Sequence, residues 1–325
     1  MSRTLFHLCF AAMFLTGPAY ADRPQVAVDI APVHSLVAQV MDGIAAPDLI
    51  IQPGATPHEY SLRPSEAAAL QSADIVFWIG PDLTPWLAEA IETLAPTAAL
   101  TPLLDVDGAI QLEFRDNAVF KAHDHSDHDD QGGHVDHDDH DDHDDHDDHD
   151  VHGAHDPHAW LSPQNAMTWL DVIASRLSDV DPVNSDAYLA NAASGRAVIE
   201  ALMEDVETTL ASVRGREFIV FHDAYQYFET DFDFPASGAI SMSDASDPSP
   251  ARIAEIRGEI AEHGVACVLA EPQFNPGLVA TVLRGSDARM GIADPLGAEL
   301  ELGPKFYPQL IRSLSRALTE CMRSD

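Results

Sequence analysis

What most constrains this chain is a pattern that occurs twice. Short apolar or β-branched runs alternate with helical periodicities, and a long amphipathic stretch separates the two blocks. In the first block Gln25–Ile30, Leu49–Gln52 and Asp74–Ile79 read as strands, while Val33–Met41, Pro64–Ser72 and Pro85–Leu94 read as helices. In the second, strands are expected at Glu217–Phe221, Ala239–Ser241, Val265–Ala270 and Arg289–Ile292. Helices are expected there at Pro250–His263, Pro276–Leu283 and Phe306–Met322. Alternation of this kind covers a parallel sheet with helices. Between the blocks lie a helix at Pro163–Leu177 and an unusually long one at about Pro182–Ser212. Val198, Leu202, Val206 and Leu210 give the long helix one apolar stripe. The expected fold class is therefore α/β with two lobes. Residues 22–181 form the first lobe, 182–213 the linking helix and 214–325 the second lobe.

The amino terminus sets the compartment. Arg3, the apolar run Leu5–Leu15, Gly17-Pro18 and the ending Ala19-Tyr20-Ala21 describe a secretory signal, residues 1–21, cleaved before Asp22. The run is too short to span a bilayer, which takes about 20 residues. Cys9 lies inside it and leaves with it. Cys267 and Cys321 remain, and an even pair in an oxidising compartment suggests one disulfide, with two buried free thiols as the alternative. The formal charge of −37 argues against nucleic acid or an anionic membrane as a partner, because both require a basic face.

Part of that acidity is local. Fifteen aspartates lie between Asp124 and Asp156, with no Lys or Arg among them. From His134 a histidine recurs at every third position through His137, His140, His143, His146, His149, His152 and His155 to His158. This tract, placed at 121–155, has no apolar face to bury and is expected to be disordered without ligand. Imidazole and carboxylate both bind transition metals, so the tract reads as an accessory metal collector. A flexible array lacks fixed geometry and cannot select one metal.

Outside the signal and the bulk of the tract, three histidines fall at strand ends or in loops. His58 follows the strand at Leu49–Gln52, His158 precedes a helix, and His222 ends the strand at Glu217–Phe221. Asp294 occupies a similar position beyond Arg289–Ile292. Open α/β sheets collect ligands beyond the carboxyl ends of their strands. Three neutral imidazoles and one carboxylate make a four-coordinate nitrogen and oxygen site suited to zinc, bridging the two lobes. His34 and His263 fall within or at the end of helical patterns and read as structural.

The residues around these positions carry a resemblance. Gly54-Ala55-Thr56-Pro57-His58-Glu59-Tyr60 with Arg63-Pro64-Ser65 resembles the first metal motif of the metal-binding proteins of ABC importers. Asp156-Pro157-His158-Ala159-Trp160-Leu161-Ser162-Pro163 resembles the second. Phe221-His222-Asp223-Ala224-Tyr225 and Asp294-Pro295-Leu296-Gly297 resemble the third and fourth. The match runs in order over nearly all of the mature chain and is most similar to the zinc-specific branch, the ZnuA type. It implies two lobes joined by a rigid helix, Zn2+ as the transported ligand in the cleft, a membrane permease as partner, and a Cys267–Cys321 disulfide. The manganese-type branch generally offers a carboxylate where this chain has His222, and imidazole shifts preference toward zinc. Some zinc-type members place Glu immediately before the first histidine. Pro57 stands there and cannot ligate, which leaves Asp294 or water as the fourth ligand and Glu59 as a supporting residue.

The resulting expectation is a periplasmic, monomeric protein that captures zinc and delivers it, without chemistry on the ion. A manganese-binding protein of the same importer class, or a periplasmic zinc buffer, differs mainly in cargo or partner. A zinc hydrolase is disfavoured because no HExxH helix or paired catalytic carboxylate is evident.

Overall fold

The computed structural model describes residues 23–115, 117, 119–120, 155–242 and 248–323. The signal segment 1–21 and the tract histidines His134 to His152 lie outside the described residues.

The first lobe is built from β1 (Val26–Val28), α1 (Ala31–Val40), β2 (Asp48–Leu49), α2 (Pro64–Ser72), β3 (Ile75–Trp78), α3 (Pro85–Leu94) and β4 (Ala99–Pro102). Its strands run parallel in the order β2-β1-β3-β4. Val26–Val28 and Ile75–Trp78 are buried along their whole length, as parallel strands covered on both faces must be. β4 was not evident in the sequence, because Ala99-Leu100-Thr101-Pro102 is short, ends in proline and shows little apolar patterning. Its pairing to β3 creates it. β2 is shorter and earlier than expected. The amides of Ile50 and Ile51 still bond the carbonyls of Val28 and Asp29 at 2.9 Å, after which the chain turns at Gly54. Gly54 has φ +84°, where a side chain would be strained.

α4 (Pro163–Val180) leads into α5 (Ser185–Leu210). The second lobe follows as β5 (Phe218–His222), α6 (Gln226–Phe232), β6 (Gly238–Ser241), α7 (Pro250–His263), β7 (Cys267–Ala270), α8 (Pro276–Val282), β8 (Arg289–Ile292) and α9 (Phe306–Met322). Its sheet is parallel, in the order β6-β5-β7-β8. α6, a helix of 7 residues, has too few turns to leave a legible period.

α5 is 26 residues long, about 39 Å at 1.5 Å per residue. It packs on α1 and α4 of the first lobe and on α9 of the second. Its buried stripe is Tyr188, Ala192, Gly195, Ile199, Leu202, Val206 and Leu210. Val198, assigned to the stripe from the sequence, is 45% exposed, and Ile199 takes its place. A strict spacing of four residues drifts about 40° per step around a helix, so a stripe that stays on one face must mix threes and fours. At Gly195 a Cβ would sit 2.9 Å from Leu170 and 3.0 Å from Gln39. The absent side chain lets α5 cross α4 and α1 closely. One apolar core runs from Val26 and Val28 through Leu202 and Val206 to Leu310 and Leu314. The lobes therefore share a core and are not hung on a flexible linker. Cys267 on β7 and Cys321 on α9 form the expected disulfide, with Cα atoms 5.6 Å apart.

The segment leading into the His/Asp tract crosses to the second lobe. The Phe120 amide donates to Ser237 O at 2.8 Å, and Val119 forms a bridge with Gly238. Arg115 pairs with both Asp223 and Glu229, which are buried, and the Phe120 ring lies 3.6 Å from its guanidinium carbon. The chain is next described at His155, whose amide donates to Asp82 Oδ2 at 3.1 Å on the first lobe. The adjoining Asp156 carbonyl accepts from Tyr227 Oη of the second lobe at 2.8 Å, so this end touches both lobes.

Candidate metal centre

The loop carrying His58 is fastened on both sides. Trp86 Nε1 donates to Pro57 O at 2.8 Å, and Tyr60 Oη donates to Glu66 Oε1 at 2.8 Å. Glu66 also accepts from the Arg63 amide at 2.8 Å, closing the first turn of α2. The run from Gly54 to Glu66 is therefore a scaffold that presents one imidazole. His58 is half-buried, whereas Glu59 is exposed.

His158 enters from the segment before α4, whose Ser162 Oγ accepts from the Asn165 amide as the helix cap. Asp156 Oδ1 accepts from the His158 amide at 3.0 Å and lies 2.7 Å from His158 Nδ1. His222 ends β5, with Nδ1 2.7 Å from Glu271 Oε1. Both histidines and both carboxylates are buried. The 2.7 Å contact of each Nδ1 with a carboxylate oxygen favours the proton on Nδ1 and turns each Nε2 toward the other ring. Burial pushes the Asp156 carboxyl up to about 7, against the opposing pull of the His158 amide. A cation in the cleft favours its ionised form.

The two Nε2 atoms face each other at 3.3 Å. At that separation either one ring nitrogen donates a proton to the other or a metal ion lies between them. Nitrogens on a tetrahedral zinc ion, each about 2.05 Å from the metal, are about 3.3–3.4 Å apart. The spacing therefore matches one edge of a zinc tetrahedron. The His58 ring lies 5.8 Å from the His158 ring, and His158 and His222 are 5.2 Å apart by the same measure. All three line one cavity of about 280 Å³, together with Trp160, Glu271 and Gln273. Among the described residues, no three His, Cys, Asp or Glu side chains are yet close enough to clasp an ion.

Asp294 is placed differently. Its Oδ1 accepts from Gln273 Nε2 at 2.9 Å and the Leu296 amide at 3.0 Å, and its Oδ2 accepts from the Ala298 amide at 2.7 Å. These bonds shape the turn that carries Pro295, whose carbonyl accepts from Trp160 Nε1 at 2.8 Å across the cleft. His34 is buried, its Nε2 3.2 Å from Pro47 O, and burial lowers its pKa. His263 is exposed and sits 3.7 Å from Glu259. Neither lines the cavity that His58, His158 and His222 share.

Sequence reasoning overlooked the supporting groups. Asp156 lay in plain view two residues before His158, a spacing that lets a carboxylate bond the following backbone and ring. Glu271 and Gln273 lie just beyond β7, the strand-end position that had flagged the histidines.

Comparisons with known proteins identify the family. A family model described as zinc-uptake complex component A, periplasmic (ZnuA), matches residues 26–321. The chain is 45% identical over 331 residues to the high-affinity zinc uptake system protein ZnuA of Brucella abortus, covering 98% of this chain and 99% of that protein. It is likewise 45% identical over 309 residues to the protein of the same name from Paracoccus denitrificans, covering 95% of this chain and 94% of that one. A crystal structure of ZnuA superposes with a TM-score of 0.73 at 21% identity, covering 93% of this chain and all of the other. That structure shows the same two-lobed fold. Four motifs in order, a match over nearly the whole length and close relatives of one kind lead to a single assignment: the chain belongs to the ZnuA family of periplasmic zinc-uptake components.

Proposed function

We propose that this protein captures Zn2+ in the cleft and delivers it to the membrane permease of an ABC importer. His58, His158 and His222 are the ligands in this reading, and water or a carboxylate oxygen takes the fourth position. The observation that carries it is the 3.3 Å approach of His158 Nε2 and His222 Nε2, each aimed by a carboxylate on its Nδ1. The names of the relatives support zinc as cargo. Export through a signal cleaved after Ala21, and a monomeric state, complete the proposal. So does the division into lobes 22–181 and 214–325 about the linker 182–213. The role is carriage, not catalysis, since Asp156 and Glu271 are both engaged by histidine and neither is placed as a general base. The tract histidines His134, His137, His140, His143, His146, His149 and His152 act as a separate, weaker collector.

The test uses the mature protein and a variant lacking residues 124–154. Deletion should lower the zinc stoichiometry and leave one tight site. In that background His58→Ala, His158→Ala and His222→Ala should each weaken the tight step at least about 10-fold. Loss of tight binding on deletion alone, or parental affinity in two of the three variants, would overturn the assignment.

A further inference from the structure

We propose that Gln273 sets the metal preference of the cleft by holding the Asp294 carboxylate away from the ion, so that water completes the coordination. The inference rests on the three-histidine reading of the cavity. The resemblance to metal-importer proteins makes Asp294 a ligand, and a fourth ligand there would be a hard, charged oxygen. Hard oxygen donors favour manganese, magnesium and calcium, while imidazole favours zinc and its neighbours. Whether Asp294 reaches the ion therefore bears directly on selectivity.

Three donors already claim that carboxylate: the amides of Leu296 and Ala298, and Gln273 Nε2. The two amides belong to the turn that Asp294 itself shapes, and would hold it wherever the turn goes. Gln273 comes from a different element, the loop beyond β7, and its side chain lines the cavity with the histidines. It alone of the three ties Asp294 to a neighbouring wall of the cleft. The amide orientation follows from the chemistry. A carboxylate accepts and never donates when ionised, so the Gln273 NH2 group must face Asp294. Its Oε1 is thereby turned away, and it is buried with no hydrogen-bond partner among the described residues. A buried acceptor of this kind suits the hydrogens of a metal-bound water. One side chain thus withholds the hard oxygen with its nitrogen and offers the water an acceptor with its oxygen.

The experiment titrates zinc, manganese and cobalt(II) into the protein lacking residues 124–154. It compares that parent with Gln273→Leu and with Gln273→Leu/Asp294→Asn. Cobalt(II) reports the donor set, since its visible bands change in position and intensity when a carboxylate replaces a bound water. Gln273→Leu should cut the ratio of zinc to manganese affinity by about 10-fold or more, the scale on which groups behind the ligands act. It should also change the cobalt bands, and adding Asp294→Asn should restore both. An unchanged ratio and unchanged bands in Gln273→Leu would overturn the inference while leaving the zinc site intact. A parent that shows no cobalt bands and no tight zinc site would overturn the three-histidine reading, and this inference with it.

Discussion

Glu271 offers the sharpest test of how the cleft holds its ion. Glu271→Gln keeps the shape of the side chain and removes its charge, so the surrounding packing is little disturbed. In the parent, Glu271 Oε1 lies 2.7 Å from His222 Nδ1, with side-chain exposures of only 2% and 6%. That bond favours the tautomer with the proton on Nδ1, which turns Nε2 toward His158. Across the imidazole ring the carboxylate would stand about 7 Å from a dication. At an effective dielectric of about 20 the gross attraction is about 5 kcal/mol. The glutamine can still accept through its own oxygen, and the lost charge is partly offset because an uncharged group costs less to bury. The net loss should therefore resemble other changes behind a metal-bound histidine, about 10–100-fold in affinity, or about 1.4–2.7 kcal/mol. Asp156→Asn should act alike through His158. The two losses together should fall short of their sum, because both histidines serve one ion. Competition with a chelator near pH 7.5, in the variant lacking residues 124–154, measures the effect, and circular dichroism checks folding. Zinc affinity within about twofold of the parent in folded Glu271→Gln would refute the claim that the Glu271 charge helps hold the ion.

Two further outcomes follow from the same chemistry. Imidazole binds metal only when neutral, and its ordinary pKa is about 6.5. Zinc affinity of the variant lacking residues 124–154 should therefore fall steeply from about pH 7.5 to about pH 5 as protons displace the ion. A flat profile would mean that carboxylates hold it. The Cys267–Cys321 disulfide closes a separation of 54 residues, for which the chain-entropy estimate is about 4 kcal/mol. The Cys267→Ser/Cys321→Ser variant should lose about 2–4 kcal/mol, read as a lower urea midpoint, and an unchanged midpoint would show that the bond adds nothing.

The sequence by itself determined the two α/β blocks, the long helix between them, the Cys267–Cys321 pair and the three histidines at element ends. Each of these leaves a local trace: a period, a terminal residue or a short motif. Tertiary structure alone decided what leaves no such trace. β4 exists because β3 offers it a ladder, and Ile199 is buried in place of Val198 because α5 meets three helices at once. The pairing of His222 with Glu271 spans 49 residues, and the approach of His222 to His158 spans 64. Those separations close only because β5 and β7 are neighbours in one sheet and the two lobes share a core. Asp294 shows the same division. Its position beyond β8 was legible, but the three donors that engage its carboxylate could be known only once Gln273 and the turn at Leu296 and Ala298 were folded around it. A strand end tells where a side chain arrives, and the groups packed against it decide what its charge is used for.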